Sequence, residues 1–204
     1  MSKNRTASQN NEISELLSNM AYVAELKEWD NRAHLSRIRS YCLLLGMEIG
    51  LSRSESEVIA AASMLHDVGK SLTPLDLLKR LGNYEPAEWK VVEKHTIDGA
   101  QILGNSTILE LQTGAIIAEA HHERWNGSGY PYQRTGENIP LAARICAVAD
   151  VFDALTTPRP YKQAISPDDA RQMIENSSGI LFDPLIVGAF STIYRPLLKI
   201  MQTP

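Results

Sequence analysis

Cysteine is scarce, with Cys42 and Cys146 the only two in the chain. Two thiols this far apart in sequence make neither a disulfide framework nor a CxxC-type zinc site. Each lies in an apolar helical stretch, where a free thiol serves as a small core residue, and this fits a reducing cytoplasm. Basic charge is also in short supply. Twenty Lys and Arg against 24 Asp and Glu leave a net charge of −4, which argues against a broad basic face for a nucleic acid polymer. A small anion remains admissible, because a few local cations or metals can hold it. No apolar run is long enough to span a bilayer, and Met1 to Asn11 lack the apolar stretch of a secretory leader. Strand-like alternation and internal repeats are missing too. What is left is the expectation of a cytoplasmic, all-α protein whose 204 residues suit one domain with a short appendage.

Residues 1–11 read as a disordered polar tail and 12–204 as the folded domain. Ile13, Leu16, Leu17, Met20 and Val23 recur at steps of three and four, which predicts a helix from Glu12. Further helices are expected over 31–49 with Gly50 as the stop, over 55–65, from Pro74 through Leu81, over 87–103 after Pro86, over 107–121 and over 141–155. Ser166 followed by Pro167 is an N-cap with Pro at the first helical position, so a helix should run to Asn176. A last one is expected over 185–193, with Pro196 breaking any continuation. Residues 124–140 hold Gly127, Gly129, Pro131, Gly136 and Pro140 and read as an ordered loop.

The five histidines carry the chemistry: His34, His66, His95, His121 and His122. A lone His in an apolar helix is more often a satisfied core residue than a ligand, and an isolated His-Asp pair means little. The set is harder to dismiss, because nearly all the imidazole sits at element ends or on apolar helices. Carboxylates accompany it. Asp30 lies four residues before His34 and so on the same helix face; Asp67 follows His66; Asp150 comes late on the apolar run from Ile145. Imidazole plus carboxylate suits iron, manganese, zinc, nickel or cobalt. The number of donors exceeds what one metal needs and would fill two adjacent sites bridged by a carboxylate, the arrangement used for phosphoester hydrolysis.

His66-Asp67-Val68-Gly69-Lys70 matches the pattern HDxGK, and His121 through Pro131 matches HHE…GxGYP. With the runs 139–144 and 149–156 and Arg159-Pro160-Tyr161-Lys162, these blocks stand in order over roughly residues 20–190. The sequence thus resembles the HD-GYP family of the HD phosphohydrolase superfamily. The resemblance implies a multi-helix HD-type bundle with an ordered GYP loop, and hydrolysis of cyclic di-GMP to linear pGpG, GMP or both. It implies two divalent metal ions, iron or manganese foremost. One would be held by His34, His66, Asp67 and Asp150, the other by Asp67, His95, His121 and His122, with Asp67 bridging and the metals activating water. Members with a third metal carry Glu four residues before the first His; here Asp30 stands there, so a third ion stays open. Lys70 is implied as the catalytic cation beside Asp67, and Lys70, Arg159 and Lys162 as phosphate contacts. Asn126 replaces the commoner Asp and reads as a turn residue before Gly127.

Glu119, Glu123 and Asp153 are candidates to orient imidazoles, with an ordinary helix-surface role as likely for the two glutamates. The aromatics Trp125, Tyr130 and Tyr132 motivate a protein partner at the loop Trp125–Pro140, and a homodimer is a further expectation. Competing readings are a mononuclear HD nucleotidase, which leaves His95, His121 and His122 surplus, a di-iron oxygenase with a similar ligand list, and a non-catalytic cyclic dinucleotide-binding module.

Overall fold

The computed structural model describes residues 6–25, 32–80, 82–158 and 163–202. Among the described residues the chain is all-α, with no strand and only isolated bridges joining Asn126 to Thr135 and Ser178 to Phe182. In order come α1 (Ala7–Glu25), α2 (Arg32–Glu48), α3 (Arg53–Ser63), a 3₁₀ turn (Val68–Leu72), α4 (Leu75–Leu78), α5 (Pro86–Glu93), α6 (His95–Leu103) and α7 (Leu109–Ala120). A second 3₁₀ turn (Gly136–Asn138), α8 (Leu141–Thr156), α9 (Pro167–Asn176), α10 (Pro184–Thr192) and α11 (Tyr194–Met201) complete it. None of these helices is long and apolar enough to cross a membrane.

Capping explains several boundaries. Ser52 accepts from the backbone N–H of Glu55 while the Glu55 carboxylate accepts from that of Ser52, so α3 opens on a capping box. Ser166 caps α9 in the expected place. Thr6 and Gln9 make the same reciprocal pair, and α1 accordingly begins at Ala7, inside the stretch expected to be a disordered tail.

Other expectations need correction. On α1 the buried side chains are Leu17, Ala21 and Ala24, while Leu16 and Val23 are 47% and 63% exposed. The small alanines let α1 lie against the 3₁₀ turn after α3, an advantage that counting large apolar residues overlooks. The single helix expected over 87–103 is interrupted at Lys94, which keeps helical dihedrals. There the His95 ring bonds the Val92 carbonyl and the Thr96 hydroxyl donates to that of Glu93, drawing two acceptors out of the ladder. Pro196 does not end the chain's helical structure. Ile193 caps α11, so Pro196 falls in its first turn, where a backbone N–H has no intrahelical partner to lose.

Two large apolar clusters hold the bundle, with a small third one of Ala120, Ile139 and Ala143. The larger joins Ile38, Tyr41 and Leu45 of α2 to Ile145, Val148 and Phe152 of α8 and to Phe190 of α10 and Leu197 of α11. Cys42 and Cys146 are both fully buried in it, as free thiols. The second joins Leu17 of α1 to Leu35, Leu65, Leu103 and Ala118. Helices α2, α3 and α7 contribute to both clusters. Those three are also the elements that carry, or end next to, His34, His66 and His121.

Candidate metal centre

The histidines and two aspartates converge although they come from five parts of the chain. Asp67, His95, His121 and His122 bring one ligand atom each within 4.8 Å of one another, and so do His34, His66 and Asp150. Asp67 links the two groups. Its Oδ1 lies 3.4 Å from His95 Nε2 and 3.7 Å from His121 Nε2, and its Oδ2 lies 3.3 Å from His66 Nε2 and 2.7 Å from Lys70 Nζ. In the other group Asp150 Oδ1 lies 3.8 Å from His66 Nε2 and 4.0 Å from His34 Nε2.

Glycine makes the approach feasible. A Cβ on Gly69 would stand 1.9 Å from the His95 carbonyl oxygen, so the backbone after Asp67 lies directly on the start of α6. Any side chain at 69 would push Asp67 away from His95.

Four of the five rings are turned by a partner on the far nitrogen. His66 Nδ1 lies 2.9 Å from the Ser63 carbonyl, His95 Nδ1 2.6 Å from that of Val92, and His121 Nδ1 3.0 Å from that of Ala118. A carbonyl only accepts, so these rings carry Nδ1–H and aim the Nε2 lone pair at the centre. His34 Nδ1 instead meets Asp153 Oδ2 at 2.7 Å, and Arg37 grips the same carboxylate at 2.5 and 3.0 Å. His122 is braced by the Tyr130 ring, stacked 4.7 Å away.

This donor set fits metal ions. Asp67 Oδ1, His95 Nε2 and His121 Nε2 are buried without a hydrogen-bond partner, which is costly unless a ligand completes them. Burial drives His95 and His122 below the usual imidazole range and His121 to about 3, with neighbouring imidazoles adding to it for His121 and His122. These rings are therefore neutral at pH 7, as ligation requires. Burial alone would raise Asp67, but Lys70, His66 and His95 outweigh it and hold the carboxyl well below its ordinary value. The cluster is able to bind divalent metals.

The remaining candidates divide. Asp153 is buried and orients His34, as expected of it. Glu123, also buried, orients no imidazole; its carboxylate accepts from the backbone N–H groups of Tyr132 at 2.7 Å and Arg134 at 3.0 Å, clasping the loop. Glu119 pairs with Arg134 near the surface. Gly129 lies so close to the chain at 122–124 that a Cβ there would be 2.4 Å from the Arg124 nitrogen. Asn126 is a turn residue, its side chain accepting from the Ser128 N–H. Asp30, Arg159 and Lys162 lie outside the described residues. Arg37 escaped the sequence reading. It is three residues after His34 and so on the same face, and a buried Asp153 needed a cation.

The profile of the family described as HD domain matches residues 5–186. The chain belongs to the HD domain family. Named relatives agree with the HD-GYP resemblance. This HD domain is 42% identical over 175 residues to a cyclic di-GMP phosphodiesterase response regulator of Xanthomonas campestris, covering 86% of the chain and 46% of the relative. It is 39% identical over 173 residues to a 3′3′-cGAMP-specific phosphodiesterase of Vibrio cholerae, covering 85% of the chain and 33% of the relative. It is 36% identical over 188 residues to a cyclic di-GMP phosphodiesterase of Thermotoga maritima, covering 92% and 51%. The chain thus spans about a third to a half of the length of these relatives. In fold it is similar to a crystal structure of a cyclic GMP-AMP-specific phosphodiesterase of V. cholerae, with TM-score 0.67 and 21% identity over 94% of this chain and 54% of that one. A second fold match is an HD-GYP-type protein of Bdellovibrio bacteriovorus, with TM-score 0.66 and 18% identity over 93% of this chain and 65% of that one.

Proposed function

We propose that this HD domain is a metal-dependent phosphodiesterase that hydrolyses cyclic di-GMP to linear pGpG, GMP or both. The observation that carries the reading is Asp67, which turns one carboxylate oxygen toward His95 and His121 and the other toward His66. A carboxylate so placed suits a bridge between two ions, one held by His34, His66, Asp67 and Asp150 and the other by Asp67, His95, His121 and His122. Nitrogen and oxygen donors suit iron or manganese. When bound, paired metals activate water and neutralise phosphoryl oxygens.

The chain's own residues supply the rest. Asp153 and the helix-end carbonyls hold the imidazoles in one tautomer. Lys70, beside Asp67 on the 3₁₀ turn, puts an ammonium where charge builds on phosphorus. Arg159 and Lys162 complete the phosphate grip in this reading, Arg159 with its bidentate fork and Lys162 as a point charge. A protein partner at the loop Trp125–Pro140 is supported by Tyr132, 52% exposed, on a backbone that Glu123 keeps in shape.

The test is anaerobic purification, metal quantification and turnover of cyclic di-GMP and 3′3′-cGAMP, beside a His66→Ala, Asp67→Ala double variant. The expected result is about two metals per chain and turnover of cyclic di-GMP, both lost in the variant. Two bound metals with no turnover of either dinucleotide would overturn the proposal and bring the oxygenase and binding-module readings forward.

A further inference from the structure

A row of aromatic rings leads out of the centre. Tyr130 stacks on His122 at 4.7 Å, Trp89 meets Tyr130 edge-on at 6.0 Å, and Tyr84 lies 5.8 Å beyond against Trp89. Three features separate this row from ordinary packing. Helix α5, which carries Trp89, contributes no fully buried residue, and the indole is 40% exposed, so it fills no core. Its position is nonetheless fixed. Pro86 and a Glu85–Glu88 capping box start the helix, Arg80 pairs with Glu88, and the Tyr84 hydroxyl donates to the Leu77 carbonyl. Finally, the Tyr130 ring stacks on His122 and lies 6.4 Å from the His95 ring, so the row begins at the donor cluster and ends at the half-exposed indole. A rigid, half-exposed aromatic platform beside a phosphate site is how proteins take up nucleobases, because every base offers a π-face.

We infer that Trp89, backed by Tyr84 and Tyr130, is the platform on which a purine base of the substrate stacks. The inference rests on the phosphodiesterase reading, which puts the scissile phosphate at the metal centre. It assigns Trp89 to substrate binding and base preference, and leaves the hydrolytic step to the centre.

The test uses the full chain with Trp29→Phe and Trp125→Phe, leaving Trp89 as the sole indole. Titrating the metal-loaded protein with cyclic di-GMP should quench its emission saturably, whereas ribose 5-phosphate, which has no base, should not. In the wild-type background, Trp89→Leu keeps apolar bulk without a ring and should raise KM for cyclic di-GMP about tenfold with kcat within about twofold. Trp89→Phe should recover most of the loss. Neither should change KM for methyl p-nitrophenyl phosphate, a diester without a purine. Absence of quenching, a KM unchanged in Trp89→Leu, or equal losses in the Leu and Phe variants would each overturn the stacking role. Quenching without turnover of either diester would sink the phosphodiesterase reading and leave the platform standing; turnover without quenching would do the reverse.

Discussion

His34 and the other imidazoles of the centre are held by different means. His66, His95 and His121 lean on carbonyls three residues back in the chain, at the ends of the preceding helices. His34 leans on Asp153, 119 residues away, whose charge Arg37 balances from α2. A carbonyl is neutral, fixed by the helix and unable to titrate. The carboxylate is charged; burial would raise its pKa, but the bonds from His34 and Arg37 outweigh this and hold it below its ordinary value. The first mode needs only a His at a helix end. The second needs two helices packed in register, and in return it sets a buried carboxylate behind the ring.

The sharpest way to break the comparison is at Asp153. On the two-metal reading proposed above, Asp153→Ala should weaken metal binding by the His34 group about 10- to 100-fold, so that bound metal falls from about two toward one per chain. Asp153→Asn offers His34 a neutral acceptor like those of the other rings and should retain more metal than Ala. Equal loss from both groups in a competition titration would mean that the two modes are not independent.

A second prediction concerns acid. In the metal-free protein His121 stays neutral down to about pH 3, whereas an unfolded imidazole takes its proton near 6.5. Between those values the unfolded chain binds more protons, so stability should fall as pH drops from 6.5 toward 3. Asp67, held below the ordinary carboxylate range, acts in the same direction once pH falls below about 3.9. Tm of the metal-free protein should therefore decline below pH 6.5, less steeply in His121→Gln. Equal slopes would exclude buried neutral His121 as a contributor.

The smallest expected effect is in the loop. Glu123→Gln leaves one acceptor oxygen for two amides and turns an NH2 donor toward the other, so one of the two bonds is lost and the other loses its charge, at a cost of about 1–2 kcal/mol confined to residues near Tyr132 and Arg134. Hydrogen exchange at those two amides should quicken while metal content holds. A fall in metal content would show that Glu123 also supports the centre.

Much of the centre was legible because its residues, Asp150 inside α8 apart, sit at or near helix boundaries that the sequence marks. The Gly-Lys after His66-Asp67 and the Gly/Pro cluster after His122 signal ends of elements, and those ends are where Ser63 and Ala118 leave carbonyls for an imidazole to use. Arg37 and the true duty of Glu123 were not legible, because each depends on a partner brought close by folding. The α5–α6 joint was missed since His95 and Thr96 act on carbonyls that a periodicity count never weighs.

By itself the sequence determined the helical class, the cap at Ser166, and the supply of imidazole and carboxylate, because these follow from local propensity and composition. Tertiary structure decided that Leu17, Ala21 and Ala24 rather than Leu16 and Val23 face inward, that Asp67 stands between two donor groups, and that Trp89 joins Tyr130. Each is a distance between residues far apart in sequence, or a choice of packed face. Such distances are set by how side-chain volumes fit across helices, which no local window of sequence contains.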